Sequence, residues 1–261
     1  MTDFAHYPSL QDRAVLITGG GSGIGAALVE YFVRQGSRVV FCDIDADSSR
    51  ALVERLAGEG LAAPAGLAAP AFLPCDLRDI DALRAMVRAA EAAVGPIRVL
   101  VNNAGHDQRH SIDEVTPEYW DDRLAVNLKH QFFAVQAVRP GMRAAGGGSV
   151  VNFGSISWRA GMGGMPAYTT AKAAIEGLTR SLARDLGAEG IRVNCVLPGA
   201  VRTERQVKLW YTPEYVERIM ASQCLKGFVE PDDIARMVAF LASDDARMCT
   251  SQMYVVDGGW I

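Results

Sequence analysis

The sequence predicts a doubly wound α/β fold, a parallel sheet with helices on both faces, and three observations predict it. Short, almost wholly apolar runs recur along the chain, as expected of strands buried on both sides. A helical pattern with one apolar face follows nearly every run. No break in composition divides the 261 residues, so residues 1–261 read as one domain.

The elements follow in order. Ala14 to Thr18 is the first strand, and the next helix carries Ile24, Ala27, Leu28, Tyr31 and Phe32 on one face. Arg38 to Cys42 is the second strand, with a helix from about Asp47 to Ala57. Phe72 to Cys75 is the third, after which Asp79 is placed to cap a helix bearing Ile80, Leu83 and Val87. Val99 to Val101 is the fourth. Thr116-Pro117 then reads as the cap and first residue of a helix continuing toward Val138. Val150 to Phe153 is the fifth strand, and a helix runs from Pro166 to Leu186. Arg192 to Val196 is the sixth; Ile234, Met237, Val238 and Leu241 mark a last helix face before a final strand, Met253 to Val256. The Ala/Pro/Gly-rich stretch 61–71 reads as a surface loop. The segment 200–229 is the longest outside the repeat, and a substrate-covering role is expected of it.

Composition excludes several classes. Lys+Arg number 26 against 30 Asp+Glu, a net charge of −4, which is not the basic stripe of a nucleic-acid binder. Five scattered cysteines (Cys42, Cys75, Cys195, Cys224, Cys249) with no CxxC pair argue against a disulfide framework and a zinc ribbon. A reduced cytoplasmic setting is expected. The N-terminus has no apolar signal core, and no stretch has the length and apolarity of a membrane span.

The first strand runs directly into Thr18-Gly19-Gly20-Gly21-Ser22-Gly23-Ile24-Gly25 and a helix. Glycines in that context let backbone amides approach a dinucleotide diphosphate at the helix N-terminus, although tight turns also use them. Asp43 closes the second strand, where a carboxylate can accept from the ribose hydroxyls and repel a 2′-phosphate. It can also simply end a strand and open a turn. With Ser22 rather than a cation in the loop, the reading is NAD over NADP. Tyr168 and Lys172 lie four apart near the start of a helix and so share a face. An ammonium beside a phenol favours the phenolate, which makes a general base of a poor one. Such pairs also occur on solvated helix faces, and the upstream glycine loop is what points this one toward chemistry.

With these motifs in order, nearly the whole chain resembles the short-chain dehydrogenase/reductase family. The resemblance rests on Thr18–Gly25, Asp76, Asn102-Asn103-Ala104-Gly105, Asn127, Ser155, Tyr168-x-x-x-Lys172, Pro198-Gly199 and Thr203. It implies that Tyr168 is the catalytic base and that Ser155 holds the reacting oxygen. Lys172 would bind the nicotinamide ribose and lower the Tyr168 pKa, and Asn127 would anchor a water of the proton relay. For the cofactor it implies contacts from Gly19, Gly21, Ser22, Gly23, Ile24 and Gly25 to the diphosphate and from Asp43 to the ribose. Asp76 and Leu77 would lie at the adenine. Asn103, Ala104 and Gly105 would line the cofactor, and Pro198, Gly199, Val201 and Thr203 would hold the carboxamide. Members are commonly tetramers, so a homotetramer is expected. No GxSxG, P-loop or HExxH is present, which removes hydrolase, NTPase and zincin readings.

Substrate information is expected where family members diverge. The run His106-Asp107-Gln108-Arg109-His110, with Ser157, Trp158, Arg202, Gln206, Trp210 and Tyr211, is polar and aromatic, as a polyhydroxyl ligand requires. Of these, Asp107, Arg109, His110, Ser157, Trp158, Gln206 and Trp210 are the expected substrate residues, although any one of them could belong to a solvated loop. His106 and His110 lack a third ligand, so no metal is expected. Local pieces, including Asn102–His110, Phe153–Trp158 and Gln223–Gly227, resemble bacterial NAD-dependent aldose 1-dehydrogenases, those acting on D-xylose in particular. That resemblance implies oxidation of a cyclic aldose at C1 to an aldonolactone, with D-xylose, L-arabinose and D-galactose all open. A polyol or secondary-alcohol dehydrogenase, a 3-oxoacyl reductase-like enzyme and a non-catalytic NAD sensor are the alternatives.

Overall fold

Seven strands form one parallel sheet in a computed structural model that describes residues 5–59 and 69–261. They are β1 (Ala14–Thr18), β2 (Arg38–Asp43), β3 (Ala71–Pro74), β4 (Val99–Asn102), β5 (Gly148–Phe153), β6 (Ile191–Pro198) and β7 (Met253–Val256). Their order is β3-β2-β1-β4-β5-β6-β7. The chain moves outward from β1 to β3 and then returns to β4 on the other side of β1. That reversal opens a crevice beyond the carboxyl ends of β1 and β4, where ligands of doubly wound sheets bind.

Alternation along each strand builds the two layers. Val15 and Ile17 face a core shared with α1 (Gly23–Arg34), α2 (Ala46–Gly58) and a C-terminal helix, Pro231–Ala242, through Leu28, Phe32, Leu56 and Val238. Ala14 and Leu16 face the opposite core with α3 (Ile80–Val94) and two later helices, His130–Ala144 and Pro166–Leu186, through Leu83, Val87, Val138 and Leu186. Asn102 Nδ2 donates to Asn152 Oδ1 at 2.9 Å, and Asn152 Nδ2 donates to Thr179 Oγ1 at 3.0 Å. This fully buried chain braces β4 and β5 against helix Pro166–Leu186; unpaired, each amide would cost about 1–3 kcal/mol.

Several elements depart from expectation. The single helix expected from Thr116-Pro117 toward Val138 is α4 (Pro117–Leu124), a π-helical segment Ala125–Lys129, and α5 (His130–Ala144). The extra residue per turn accompanies Asn127, whose buried side chain bonds backbone groups instead of following a regular helix. β6 runs longer than expected, to Pro198, because β5 and β7 pair with it on both sides. β3 lies one residue earlier, over Ala71–Pro74. Of the stretch 61–71, residues 61–68 lie outside the described residues, as does Asp3. The 200–229 segment folds into α7 (Glu204–Trp210) and α8 (Pro213–Ser222). Its ends are tied by a Val201–Val229 bridge and by Arg202 N–H donating to Val229 O at 2.8 Å. The helix Pro166–Leu186 is α6, and Pro231–Ala242 is α9. Among the described residues no helix is long and apolar enough to cross a membrane, and no three metal-ligating side chains cluster. All five cysteines are free thiols.

Candidate active site

A cleft of about 1010 Å³ occupies the crevice over the carboxyl ends of the strands. Its two ends have different chemistry. Over β1 and β2 it is lined by Gly19, Ser22, Gly23, Ile24 and Gly25 of the glycine loop, with Asp43, Asp76 and Leu77. The predicted Gly21 is not in the lining, and its N–H donates to Asp43. Over β5 and β6 the cleft is lined by Ser155, Ser157, Tyr168, Lys172 and Pro198. Asn103, Ala104 and Gly105 line the floor between, and Gly199, Val201 and Thr203 line the wall.

The first end fits a dinucleotide phosphate by construction. α2, α3, α4, α7 and α8 each receive a side-chain cap on their first amides, from Asp45, Asp79, Thr116, Thr203 and Thr212. α1 has no side-chain cap and no acid in its first turn, so its leading N–H groups are open to an anion. The loop is also pressed close to the helix: a Cβ on Gly25 would stand 1.8 Å from the Gly19 carbonyl oxygen. Asn103 Nδ2 donates to Thr18 O at 3.0 Å and to Gly19 O at 2.8 Å, stitching β4 to the loop. Asp43 accepts from Gly21 N–H at 2.9 Å and from Asp45 N–H at 3.0 Å, which holds its carboxylate at the cleft edge. Asp76 accepts from the Arg78 guanidinium, and that hydrogen bond holds its carboxyl below the usual range.

At the second end α6 carries Tyr168 and Lys172, the expected reacting pair. Lys172 is buried, its Nζ donates to Phe153 O at 2.9 Å, and it stands 5.6 Å from the Tyr168 ring centroid. Burial pushes its ammonium down to about 8. The Tyr168 phenol is pushed up to about 12, first by burial and then by the Asp107 carboxylate; a hydrogen bond with Ser155 and the Arg109 charge oppose the rise. The expected depression of the phenol by Lys172 is therefore not a property of the protein residues by themselves: desolvation wins. Asn127 and Lys172 flank Gly105, where a Cβ would lie 3.1 Å from both Asn127 Oδ1 and Lys172 Nζ. Asn127 Oδ1 accepts from His106 N–H at 2.8 Å, and its Nδ2 donates to Arg123 O at 3.0 Å. It thus aims the loop after Gly105.

The substrate residues divide. Asp107, Arg109, Ser157 and Gln206 line the cleft. Asp107 accepts from Arg205 on one oxygen and from Gln206 Nε2 at 2.8 Å on the other. Trp158 does not line it: its indole N–H donates to Glu176 at 3.0 Å and Arg159 covers its ring, so it lies on α6. His110 also lies outside the lining, its Nδ1 3.0 Å from the Tyr119 hydroxyl. Trp210 stands behind Arg109, whose guanidinium is 5.0 Å from its ring centroid. Arg205, Arg123, Met162, Met165 and Tyr215 line the cleft and were missed. Only Arg205 had a local signal, as the neighbour of Gln206.

The Asp107 pair joins α7 to the loop after β4. A charge-assisted pair of this kind contributes about 1.5–3 kcal/mol. Asp107→Asn is therefore expected to raise native-state trypsin cleavage within α7 about tenfold. An unchanged cleavage rate would show that α7 is held by other contacts.

The fold and the two-ended cleft have counterparts among known proteins. The family described as enoyl-(acyl carrier protein) reductase matches residues 19–261. D-xylose 1-dehydrogenase of Caulobacter vibrioides is 52% identical over 256 residues, covering 98% of each chain. A probable galactose dehydrogenase of Rhizobium meliloti is 52% identical over 255 residues, covering 98% of this chain and 97% of its own. A short-chain type dehydrogenase/reductase from Mycobacterium ulcerans superposes with a TM-score of 0.89 at 30% identity, over 97% of this chain and 90% of its own. Likeness over the full sheet, the glycine loop and the Tyr168–Lys172 helix makes this chain a member of the short-chain dehydrogenase/reductase family, oxidoreductases that use a nicotinamide cofactor.

Proposed function

We propose that this protein oxidises the C1 hydroxyl of a cyclic aldose, pentose or hexose, to the aldonolactone, with NAD⁺ as hydride acceptor and Tyr168 as general base. The observation that carries the reading is the continuity of the cleft: a phosphate cradle at one end and a polar, donor-bearing pocket at the other meet at Tyr168. The two relatives at 52% identity, named for D-xylose and galactose, support a sugar as the substrate class.

Each residue has work that its position allows. Ser155 hydrogen-bonds the phenol and is placed to hold the substrate oxygen beside it. Tyr168 takes the hydroxyl proton as the C1–H bond breaks. When bound, NAD⁺ would supply the hydride acceptor and a positive ring charge that favours the phenolate. Lys172, anchored on Phe153 O, would hold the nicotinamide ribose, and Asn127 would order a water beyond it. Asp76 and Leu77, which line the cleft, would bound the adenine; Pro198, Gly199, Val201 and Thr203 would bound the carboxamide. α7 and α8 cover the sugar.

Asp43 makes the cofactor NAD. A unit charge about 4 Å from a carboxylate is repelled by about 4 kcal/mol at an effective dielectric near 20. Arg55 lines the same region but is held by Glu30 and Glu59, and Arg50 turns to Asp47. The ratio of kcat/KM for NAD⁺ over NADP⁺ is expected to exceed about 100, and Asp43→Ser should narrow it at least about tenfold. Parity between the cofactors in the unaltered protein would overturn Asp43's role. A panel of aldoses, polyols and hydroxyacyl thioesters, read by absorbance of the reduced cofactor, tests the substrate class. Turnover of polyols or thioesters with none of any aldose would overturn the sugar reading.

A further inference from the structure

Six arginines line the cleft: Arg55, Arg78, Arg109, Arg123, Arg202 and Arg205. Five are ion-paired, Arg55 with Glu30, Arg78 with Asp76, Arg123 with Asp122, Arg202 with Glu230 and Arg205 with Asp107. Arg109 is the exception among the described residues. Its Nε is buried with no hydrogen-bond partner. Asp107, the nearest acid in sequence, has both oxygens committed to Arg205 and Gln206. The Trp210 ring fixes the Arg109 guanidinium at 5.0 Å from its centroid, so the cation is both unpaired and held in place. Among the described residues, further polar groups near this end are buried without partners: Ser157 Oγ, which lines the cleft, Trp210 Nε1 and His110 Nε2.

Buried donors left unpaired cost free energy unless a ligand takes them up. A fixed guanidinium fork matches the two oxygens of a carboxylate better than it matches any single hydroxyl. Arg109 is also near enough to Tyr168 for its charge to act on the phenol, so such a ligand would lie at the reacting end.

We propose that Arg109 is a carboxylate-binding residue at the substrate end of the cleft, and that a sugar acid is a ligand of this protein. The proposal rests on the sugar reading and adds a charge to it. Two sources share this chemistry. An aldonate, formed when the lactone hydrolyses, would occupy the site as a competitor of the aldose. A uronate, an aldose with a carboxylate at its far end, would be a substrate.

The test compares aldonates with the alditols that differ only in carrying CH₂OH in place of the carboxylate. Calorimetry on the NADH-loaded protein uses D-gluconate against D-glucitol and D-xylonate against xylitol. Each aldonate is expected to bind at least about tenfold tighter than its alditol, with the preference falling to under about twofold in Arg109→Gln. Equal binding of acid and alditol by the unaltered protein, or a preference that survives Arg109→Gln, overturns the proposal. If that variant does not fold, salt replaces it: the preference in the unaltered protein should shrink between low and high NaCl, and a salt-independent preference counts against Arg109. Turnover of D-galacturonate above D-galactose identifies the uronate source; inhibition by aldonate competitive with aldose identifies the product source. Aldose turnover without any acid preference sinks the Arg109 proposal and leaves the sugar reading standing. Absence of both aldose turnover and sugar-acid binding sinks the two together.

Discussion

Tyr168→Phe is expected to lower kcat for aldose oxidation by about three orders of magnitude while changing cofactor affinity by less than about threefold. The ring stays, so its packing near Lys172 stays; only the hydroxyl, the proposed base, is lost. Activity that survives the substitution would remove Tyr168 from the reaction. Lys172 supplies a second readout that needs no substrate. Its ordinary value of 10.5 falls to about 8 because the ammonium is buried. The folded protein therefore holds fewer protons than the unfolded chain between those values, and stability should rise as pH climbs from about 8 to 10.5. Tyr168, raised from 10.0 to about 12, acts in the opposite sense and only above 10.0. Denaturation midpoints between pH 8 and 10 should thus show a rise that Lys172→Met flattens. An unaltered slope in that variant would mean that the lysine is solvated.

Gly25→Ala is expected to weaken cofactor binding by more than about 100-fold and to cost on the order of 3 kcal/mol of stability. The added Cβ would meet the Gly19 carbonyl oxygen at 1.8 Å and the Gly20 Cα at 2.9 Å, all backbone. Backbone cannot rotate away as a side chain can, so either the loop or the start of α1 must move. Both present the amides proposed to hold the diphosphate. Gly177→Ala on α6 is the control: nothing stands within 4 Å of its Cβ, and helix propensity should make it neutral or stabilising by up to about 1 kcal/mol. Calorimetric NAD⁺ affinity and chemical denaturation of the two variants give the comparison. Equal behaviour would show that the close approach at Gly25 does not matter.

The sheet was legible because its signals are local. Ala14 to Ile17 is apolar at every position with Thr18 closing the run, and the observed β1 spans Ala14–Thr18. Asp79 and Thr116 cap their helices as their neighbours in sequence require. The glycine loop and the Tyr168–Lys172 spacing were equally local, so both ends of the cleft could be named before its shape was known. The π segment was not legible, because Asn127 leaves the regular helix to bond His106, 21 residues earlier. Trp158 shows the same limit. It follows Ser157 directly, yet Ser157 lines the cleft while Trp158 turns to Glu176 on α6.

The parallel layers and the nicotinamide cofactor class could be read from the chain alone, and the proposed Tyr168–Lys172 pair could be named there, since each depends on periodicity or on residues a few positions apart. Which polar groups remain available to a ligand depends instead on long-range packing. Asp107 is neutralised by Arg205 from 98 residues away, whereas Arg109, two residues on, meets the Trp210 ring and no carboxylate. Pairing across such distances depends on how α7 lies over the loop after β4, and no local pattern carries that.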